Sequence, residues 1–301
     1  MQEQIKSFDQ LLDRVKKGKR KTLAICCAEG KEIIQSAKMA QDERLLTSVL
    51  IGNRDRIETI CKEVDLDLSK IEILDEQNPE LTPEVAVSLV KEKKADMLMK
   101  GKVSTAGLLK AVLDKEKGLR AGKLLSHVAV VEVKNYPKLM LVTDGGMNIR
   151  PDVTKKVAIL ENAIEVAKKL GIHKPKAACL TAIETVNPEM PETIDASVIT
   201  KMAEREDIKD VIVDGPLAFD VAVDKKSAQI KGIDSLIAGD TDIFLVPDIA
   251  CGNIMVKALI YLADAKVGGI VVGGGAPIVL LSRSDTAEMR LYSMALGAAI
   301  S

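Results

Sequence analysis

Four short apolar runs open the chain: TLAICCA at residues 22–28, LLTSVLIG at 45–52, IEIL at 71–74 and MLMK at 97–100. Each is followed by a polar stretch with helical spacing. Strand-length runs alternating with helices of 10–15 residues mark βαβ units, because parallel neighbours need a crossover and the crossover helix covers a face of the sheet. The beat resumes at 128–133, 139–143, 177–180, 211–213, 243–246 and 270–272. Residues 157–170 give the clearest helix: Val157, Leu160, Ala163, Ile164, Ala167 and Leu170 share one stripe, and Gly171 follows as the stop. The expected class is α/β, a mainly parallel sheet with helices on both faces.

Two departures from the beat divide the chain. The runs at 128–133 and 139–143 are separated only by residues 134–138, too short for a crossover helix, so they read as an antiparallel hairpin in a mixed sheet. The strand before the final helix, 284–300, has the position of one that returns to the starting domain. At roughly 100–200 residues per domain, 301 residues suggest two domains. The expected division is 1–126 plus 277–301 as a discontinuous first domain and 127–276 as the second.

Composition excludes several classes. Lys+Arg of 43 against Asp+Glu of 44 leaves a formal charge of -1, so no global basic field gathers nucleic acid. With no Trp, three Tyr and three Phe, base-stacking platforms are not expected. The most apolar window, 270–281, is a dozen residues long and is broken by Gly273, Gly274, Gly275 and Pro277, short of the ~20 a membrane span needs. Residues 1–13 lack the layout of a signal peptide. Five cysteines (Cys26, Cys27, Cys61, Cys179 and Cys251) without C-x-x-C spacing, and only two histidines, His127 and His173, signal neither a disulfide framework nor a zinc site. A reducing cytoplasm and no metal or bound cofactor are expected.

In open α/β sheets ligands bind beyond the carboxyl ends of the strands. The residues that follow the expected strands are Lys100-Gly101, Asp144-Gly145-Gly146, Asp214-Gly215-Pro216, Pro247-Asp248, Gly273-Gly274-Gly275 and Ser282-Arg283-Ser284-Asp285. Small residues, acids and two cations thus gather on one rim. No G-x-G-x-x-G and no G-x-x-x-x-G-K-[ST] occurs, so neither a dinucleotide fingerprint nor a triphosphatase loop is supported. Consecutive glycines can still turn their N–H groups toward an anion. Arg283 can grip a phosphate bidentately while Ser284 caps the last helix; the alternative is an arginine paired with a surface acid. Cys251-Gly252-Asn253 opens an expected helix at 254–262, and Lys100 to Ser104-Thr105 opens another at 106–113. Helix starts attract anions, although Gly252 and Asn253 serve equally as caps. Together these features point to a phosphate-rich ligand. Cys251, at a helix start where thiolates are favoured, is a minor candidate nucleophile.

Several of these segments resemble the phosphate acetyl/butyryltransferase family. Gly274-Gly275-Ala276-Pro277-Ile278-Val279-Leu280-Leu281-Ser282-Arg283-Ser284-Asp285-Thr286-Ala287-Glu288 looks like its C-terminal signature. Pro247-Asp248 through Gly252-Asn253 resembles its P-D-x-x-x-G-N segment, and Asp214-Gly215-Pro216 with Asp220 its D-G-x-x-x-x-D segment. Met99 to Thr105 and Ser126-His127-Val128 resemble the butyryl branch more than the acetyl branch. The resemblance runs from about residue 80 to the end.

The resemblance implies the reaction acyl-CoA + phosphate = acyl phosphate + CoA, by direct transfer in a ternary complex. Coenzyme A is a substrate, and no cofactor is bound. It implies two α/β domains similar to the isocitrate/isopropylmalate dehydrogenase fold, with the site in the cleft between them, in a homodimer or larger assembly. Ser282 and Arg283 match the family's serine–arginine pair. Glu288 is the matching acid for the CoA thiol, with Asp285 as competitor; a second family arginine has no clean counterpart, and Lys110 and Arg120 lie nearby. Butyryl or branched-chain acyl groups are favoured. The alternatives are phosphate acetyltransferase, or a non-catalytic CoA- or phosphate-binding protein on the same fold.

Overall fold

A computed structural model describes residues 3–119, 122–280 and 285–301. The elements in chain order are α1 (Phe8–Lys17), β1 (Lys21–Cys26), α2 (Lys31–Asp42), β2 (Leu46–Gly52), α3 (Arg54–Glu63), β3 (Glu72–Asp75), α4 (Thr82–Lys91), β4 (Met97–Lys100) and α5 (Thr105–Val112). Then follow β5 (Ser126–Glu132), β6 (Met140–Thr143), α6 (Val153–Lys169), β7 (Lys176–Leu180), α7 (Pro191–Glu204), β8 (Ile212–Leu217), α8 (Phe219–Val223), α9 (Lys225–Lys231) and β9 (Ile243–Leu245). The last are α10 (Ile249–Ala263), β10 (Lys266–Val272), β11 (Ile278–Val279) and α11 (Ala287–Ile300). This is the expected α/β alternation.

The chain divides into two compact units. One holds residues 9–123 and 268–301, and the other residues 1–8 and 124–267. In the first, the strands lie in the order β3-β2-β1-β4-β11-β10. β1 pairs in parallel with β2 and β4, and β11 with β4 through Ile278 opposite Leu98, while β10 meets β11 antiparallel. Leu23 to Cys26 and Met97 to Met99 are buried without alternation, so both faces of this sheet are covered, the condition for parallel strands. Met97, Leu98, Ile25 and Leu50 form its centre, each fully buried.

In the second unit the order is β5-β6-β9-β7-β8. The expected hairpin is present: β5 and β6 pair antiparallel, with Val128 opposite Thr143. β6 runs parallel to β9, and β7 parallel to both β9 and β8. Phe244 on β9 anchors the core on one side, with Tyr136 edge-on at 6.2 Å between ring centroids. The first eight residues belong to this unit, not to the first domain as the sequence reading had it. The Ile5 N–H donates to Leu170 O at 2.9 Å, the Phe8 N–H donates to Glu132 Oε2 at 2.6 Å, and Ile5 is buried.

Two element bounds differ from expectation in ways that bear on the site. The strand expected at 211–213 continues to Leu217, so Asp214-Gly215-Pro216 lies within β8 and does not follow it. The helix expected at 254–262 starts at Ile249, because the Asp248 side chain caps it by accepting from the Cys251 N–H at 2.9 Å.

Candidate functional site

In the first unit, strand order reverses between β1 and β4: β2 and β3 lie on one side of the pair, β11 on the other. The loops leaving the carboxyl ends of β1 and β4 form the crevice where open α/β sheets bind ligands. These loops are tied backbone to backbone. The Gly101 N–H donates to Cys26 O at 2.9 Å and the Lys102 N–H to Cys27 O at 2.8 Å. A side chain at Gly101 would overlap both carbonyl oxygens, which is why only glycine fits there.

Lys100, the last residue of β4, folds its ammonium over the loop and donates to Gly101 O and Val103 O, each at 3.3 Å. Ser104 caps α5 by accepting from the Gly107 N–H at 3.0 Å. Next in line, the N–H groups of Thr105 and Ala106 find no protein acceptor among the described residues. Two open donors at a helix start beside Lys100 and Lys102 make a small anion receptor. A cavity of about 580 Å³ shares Lys102 with it and is also lined by Cys27, Glu29, Arg56 and Pro79, and a larger one of about 1100 Å³ reaches Val103 and Ser104. The smaller is the size of a small-molecule site.

The thiols here are held in their protonated form. Burial pushes Cys26 up to about 12, and burial with the nearby Glu29 carboxylate raises Cys27.

On the same unit, Gly273 has φ +93°, a conformation that favours glycine, and turns the chain out of β10. The Gly275 N–H is spent on Leu119 O at 2.7 Å; Gly275 is exposed, and Gly274 is half-buried. Ser282, Arg283 and Ser284, and also Arg120, lie outside the described residues. The cap of the last helix is Thr286, whose hydroxyl accepts from the Met289 N–H at 3.2 Å, so Ser284 does not hold that place. Glu288 is exposed in the first turn of α11, where a carboxylate suits the positive helix end. Asp285 is half-buried just before the cap. Lys110 is exposed on α5.

The second unit brings Asp144, Gly146, Asp248, Gly252 and Asn253 together at the carboxyl ends of adjacent strands β6 and β9. Asp144 is 2% exposed and its oxygens are used up. Oδ1 accepts from the N–H groups of Gly146 and Met147, both at 2.9 Å. Oδ2 accepts from the Asn148 N–H at 3.2 Å and the Asn148 Nδ2 at 2.7 Å. Asp144 therefore positions its own loop. Gly145 and Gly252 pack backbone to backbone: a Cβ on Gly252 would sit 2.8 Å from the Gly145 Cα. Asn253 Nδ2 reaches Gly145 O at 3.4 Å. The start of α10 is largely satisfied from within, since Ile249 donates to Ile149 O, Cys251 to Asp248 Oδ1 and Gly252 to Asp248 O.

Two expected site residues, Ser126 and Asp214, and the motif residue Asp220 have partners within the fold. Ser126 is fully buried and accepts from Asn162 Nδ2 at 2.8 Å, which also donates to Leu124 O. Asp214 accepts from the Gly215 N–H at 2.8 Å within β8. Asp220 is bound by Lys231, which holds its carboxyl below the usual range. His127 packs its ring against Gly146, leaving 3.0 Å for a side chain there. Cys251 is exposed, but partial burial and the Asp248 carboxylate raise its thiol, against the expected helix-start effect. Among the described residues no group of three or more His, Cys, Asp and Glu is arranged to hold a metal ion, and no helix is long and apolar enough to cross a membrane.

Sequence reading passed over the loop after β1, Cys27 to Gly30, which forms one wall of the crevice. The signal was present: the β1 run ends in Glu29-Gly30, and it is the strand at the order reversal. It also passed over Asn148, four residues after Asp144, which closes that loop.

Residues 80–298 match the family described as phosphate acetyl/butaryl transferase. The chain is 42% identical over 296 residues to a phosphate butyryltransferase of Clostridium acetobutylicum, covering 98% of each chain. It superposes on a branched-chain phosphotransacylase from Enterococcus faecalis with a TM-score of 0.83 and 36% identity, covering 93% of this chain and 98% of that one. It shares its fold, at 12% identity and a TM-score of 0.61, with a 4-hydroxythreonine-4-phosphate dehydrogenase-like protein from Salmonella typhimurium, over 94% of this chain and 100% of that one.

Proposed function

The chain belongs to the phosphate acetyl/butaryl transferase family, and from that premise we propose that it transfers a short-chain acyl group, butyryl or branched-chain, between coenzyme A and inorganic phosphate. It is an acyltransferase. Beyond membership, the observation that carries the reading is the crevice of the first unit. There the open N–H groups of Thr105 and Ala106 stand beside Lys100 and Lys102. Such a receptor suits the phosphate groups that both substrates carry.

The chemistry follows from what each substrate lacks. A CoA thiol, with a pKa near 8.5, is mostly protonated at neutral pH. Glu288, with Asp285 as its competitor, takes the thiol proton while sulfur attacks the acyl carbon of the acyl phosphate. The C–O bond to phosphate then breaks, and Arg283, Ser282 and the Lys100–Thr105 loop stabilise charge on the leaving phosphate. In the other direction a phosphate oxygen attacks the thioester, the C–S bond breaks and the acid returns the proton to sulfur. No covalent enzyme intermediate is needed. Holding two substrates in line supplies much of the rate, up to ~7–11 kcal/mol in favourable intramolecular cases.

Asp144, Gly146, Asp248, Gly252 and Asn253 support a second substrate-binding rim, and Gly274 and Gly275 offer substrate-binding backbone after β10. Ser126 and Asp214 act from behind the rim as positioning groups. We assign the enzyme to the cytoplasm, where five free cysteines stay reduced. It works as a homodimer or larger assembly, a reading supported by Ile254, Tyr261 and Leu262 of α10, exposed by 68%, 70% and 86%.

The test is the release of CoA thiol from acetyl-, butyryl-, isobutyryl- and isovaleryl-CoA in phosphate buffer. Fastest release from the four- and five-carbon thioesters is expected. Fastest release from acetyl-CoA would transfer the assignment to the acetyl branch that the family description also covers.

A further inference from the structure

Another cavity of the first unit, of about 450 Å³, lies at the opposite end of its strands. Arg20 stands just before β1, Arg44 just before β2, and Ile71 just before β3. β1 is six residues long, so at ~3.3 Å per residue the cavity is about 20 Å from the loop that follows that strand. None of its lining residues belongs to the acyl-transfer loops.

The charges at this cavity do not cancel. Asp42 is paired with Lys38 at 2.9 Å and Asp67 with Lys70 at 3.0 Å, so both carboxylates of the wall are neutralised by neighbouring lysines. Arg20 and Arg44 are exposed, and neither guanidinium has a hydrogen-bond or ion-pair partner among the described residues. Two unpaired guanidinium groups at one mouth suit the bidentate oxygens of a phosphate.

The floor points the same way. Ser48 is 3% exposed, lines the cavity, and its hydroxyl makes no hydrogen bond among the described residues. A hydroxyl on the cavity wall can donate to and accept from the hydroxyls of a sugar. Leu46 and Ile71 give the wall an apolar stretch. The volume lies within the 300–1,000 Å³ typical of small-molecule sites, more than a bare phosphate ion fills.

We propose that this cavity binds a nucleoside phosphate, with its phosphates on Arg20 and Arg44, its sugar hydroxyls toward Ser48 and its base against Leu46 and Ile71. The site is separate from the acyl-transfer loops and is available to regulate them. Calorimetric titration of the full chain with ADP tests it, alongside Arg20→Ala/Arg44→Ala. The wild type should bind ADP, and the double variant should bind it at least tenfold more weakly while keeping its kcat and its KM for CoA when ADP is absent. Both arginines are exposed, so an unchanged Tm without ligand will show that the variant is folded. Absence of ADP binding to the wild type would overturn the proposal. So would an affinity unchanged in the double variant, which would put ADP in the acyl-transfer crevice instead. Inorganic pyrophosphate binding as tightly as ADP would contradict the roles given to Ser48 and the apolar wall.

Discussion

The loops at the strand ends of the two units look alike in sequence and differ in what they leave open. In the first unit, the segment from Lys100 to Ala106 leaves the Thr105 and Ala106 N–H groups without protein acceptors among the described residues, beside Lys102 and a Lys100 that spends only part of its donor capacity on Gly101 O and Val103 O. In the second, Asp144 and Asp248 spend their carboxylates on their own backbones, and the start of α10 is closed by the same bonds. One loop is built to receive an anion. The other is built to keep its shape. A charged residue after a strand therefore reports a ligand only when its hydrogen-bonding capacity is not consumed locally.

Substitutions sharpen that contrast in descending order. Gly101→Ala should be the most damaging, since its Cβ would meet two backbone carbonyls that cannot yield; we expect a loss of at least about 3 kcal/mol by chemical denaturation. A tolerated alanine would mean that the loops after β1 and β4 are not locked together. Asp144→Asn should come next, at about 3 kcal/mol or somewhat less, because an amide nitrogen would face N–H donors that the carboxylate now accepts. Its kcat should fall with it, and an unchanged kcat would end the positioning role. Lys100→Ala should leave Tm nearly unchanged and raise the KM for phosphate or CoA roughly tenfold, the worth of one charge-assisted contact. If the KM stayed level, the first-unit loop would not be the anion receptor. Cys251→Ser should have the smallest effect, with kcat near that of the wild type; a large fall would restore the thiol as a participant.

Much of the architecture was legible because it rests on local pattern. The apolar runs that became β1, β2 and β4 are buried on both faces, so they carry no alternation, while edge strand β3 exposes Glu72 and Asp75; the glycines and polar residues between the runs mark the turns. The hairpin of β5 and β6 followed from a gap too short for a helix. What failed were boundaries set by single side chains. Asp248 starts α10 five residues before the expected point, and β8 extends through Asp214-Gly215-Pro216. The N-terminal eight residues were misassigned because their partners, Leu170 and Glu132, are distant in sequence. At the site, the phosphate-suited loop at Lys100 was readable from residue type and place. The burial of Ser126 beneath Asn162 was not, since nothing in a serine's neighbours reveals a partner 36 residues away.

The most direct measurement follows CoA thiol release from butyryl-CoA by the full chain, with inorganic phosphate present and with phosphate rigorously removed. Release should rise with phosphate, saturate, and vanish without it, with butyryl phosphate formed in equal amount. Release at the same rate without phosphate would make the chain a thioesterase and contradict the transfer reaction at its root.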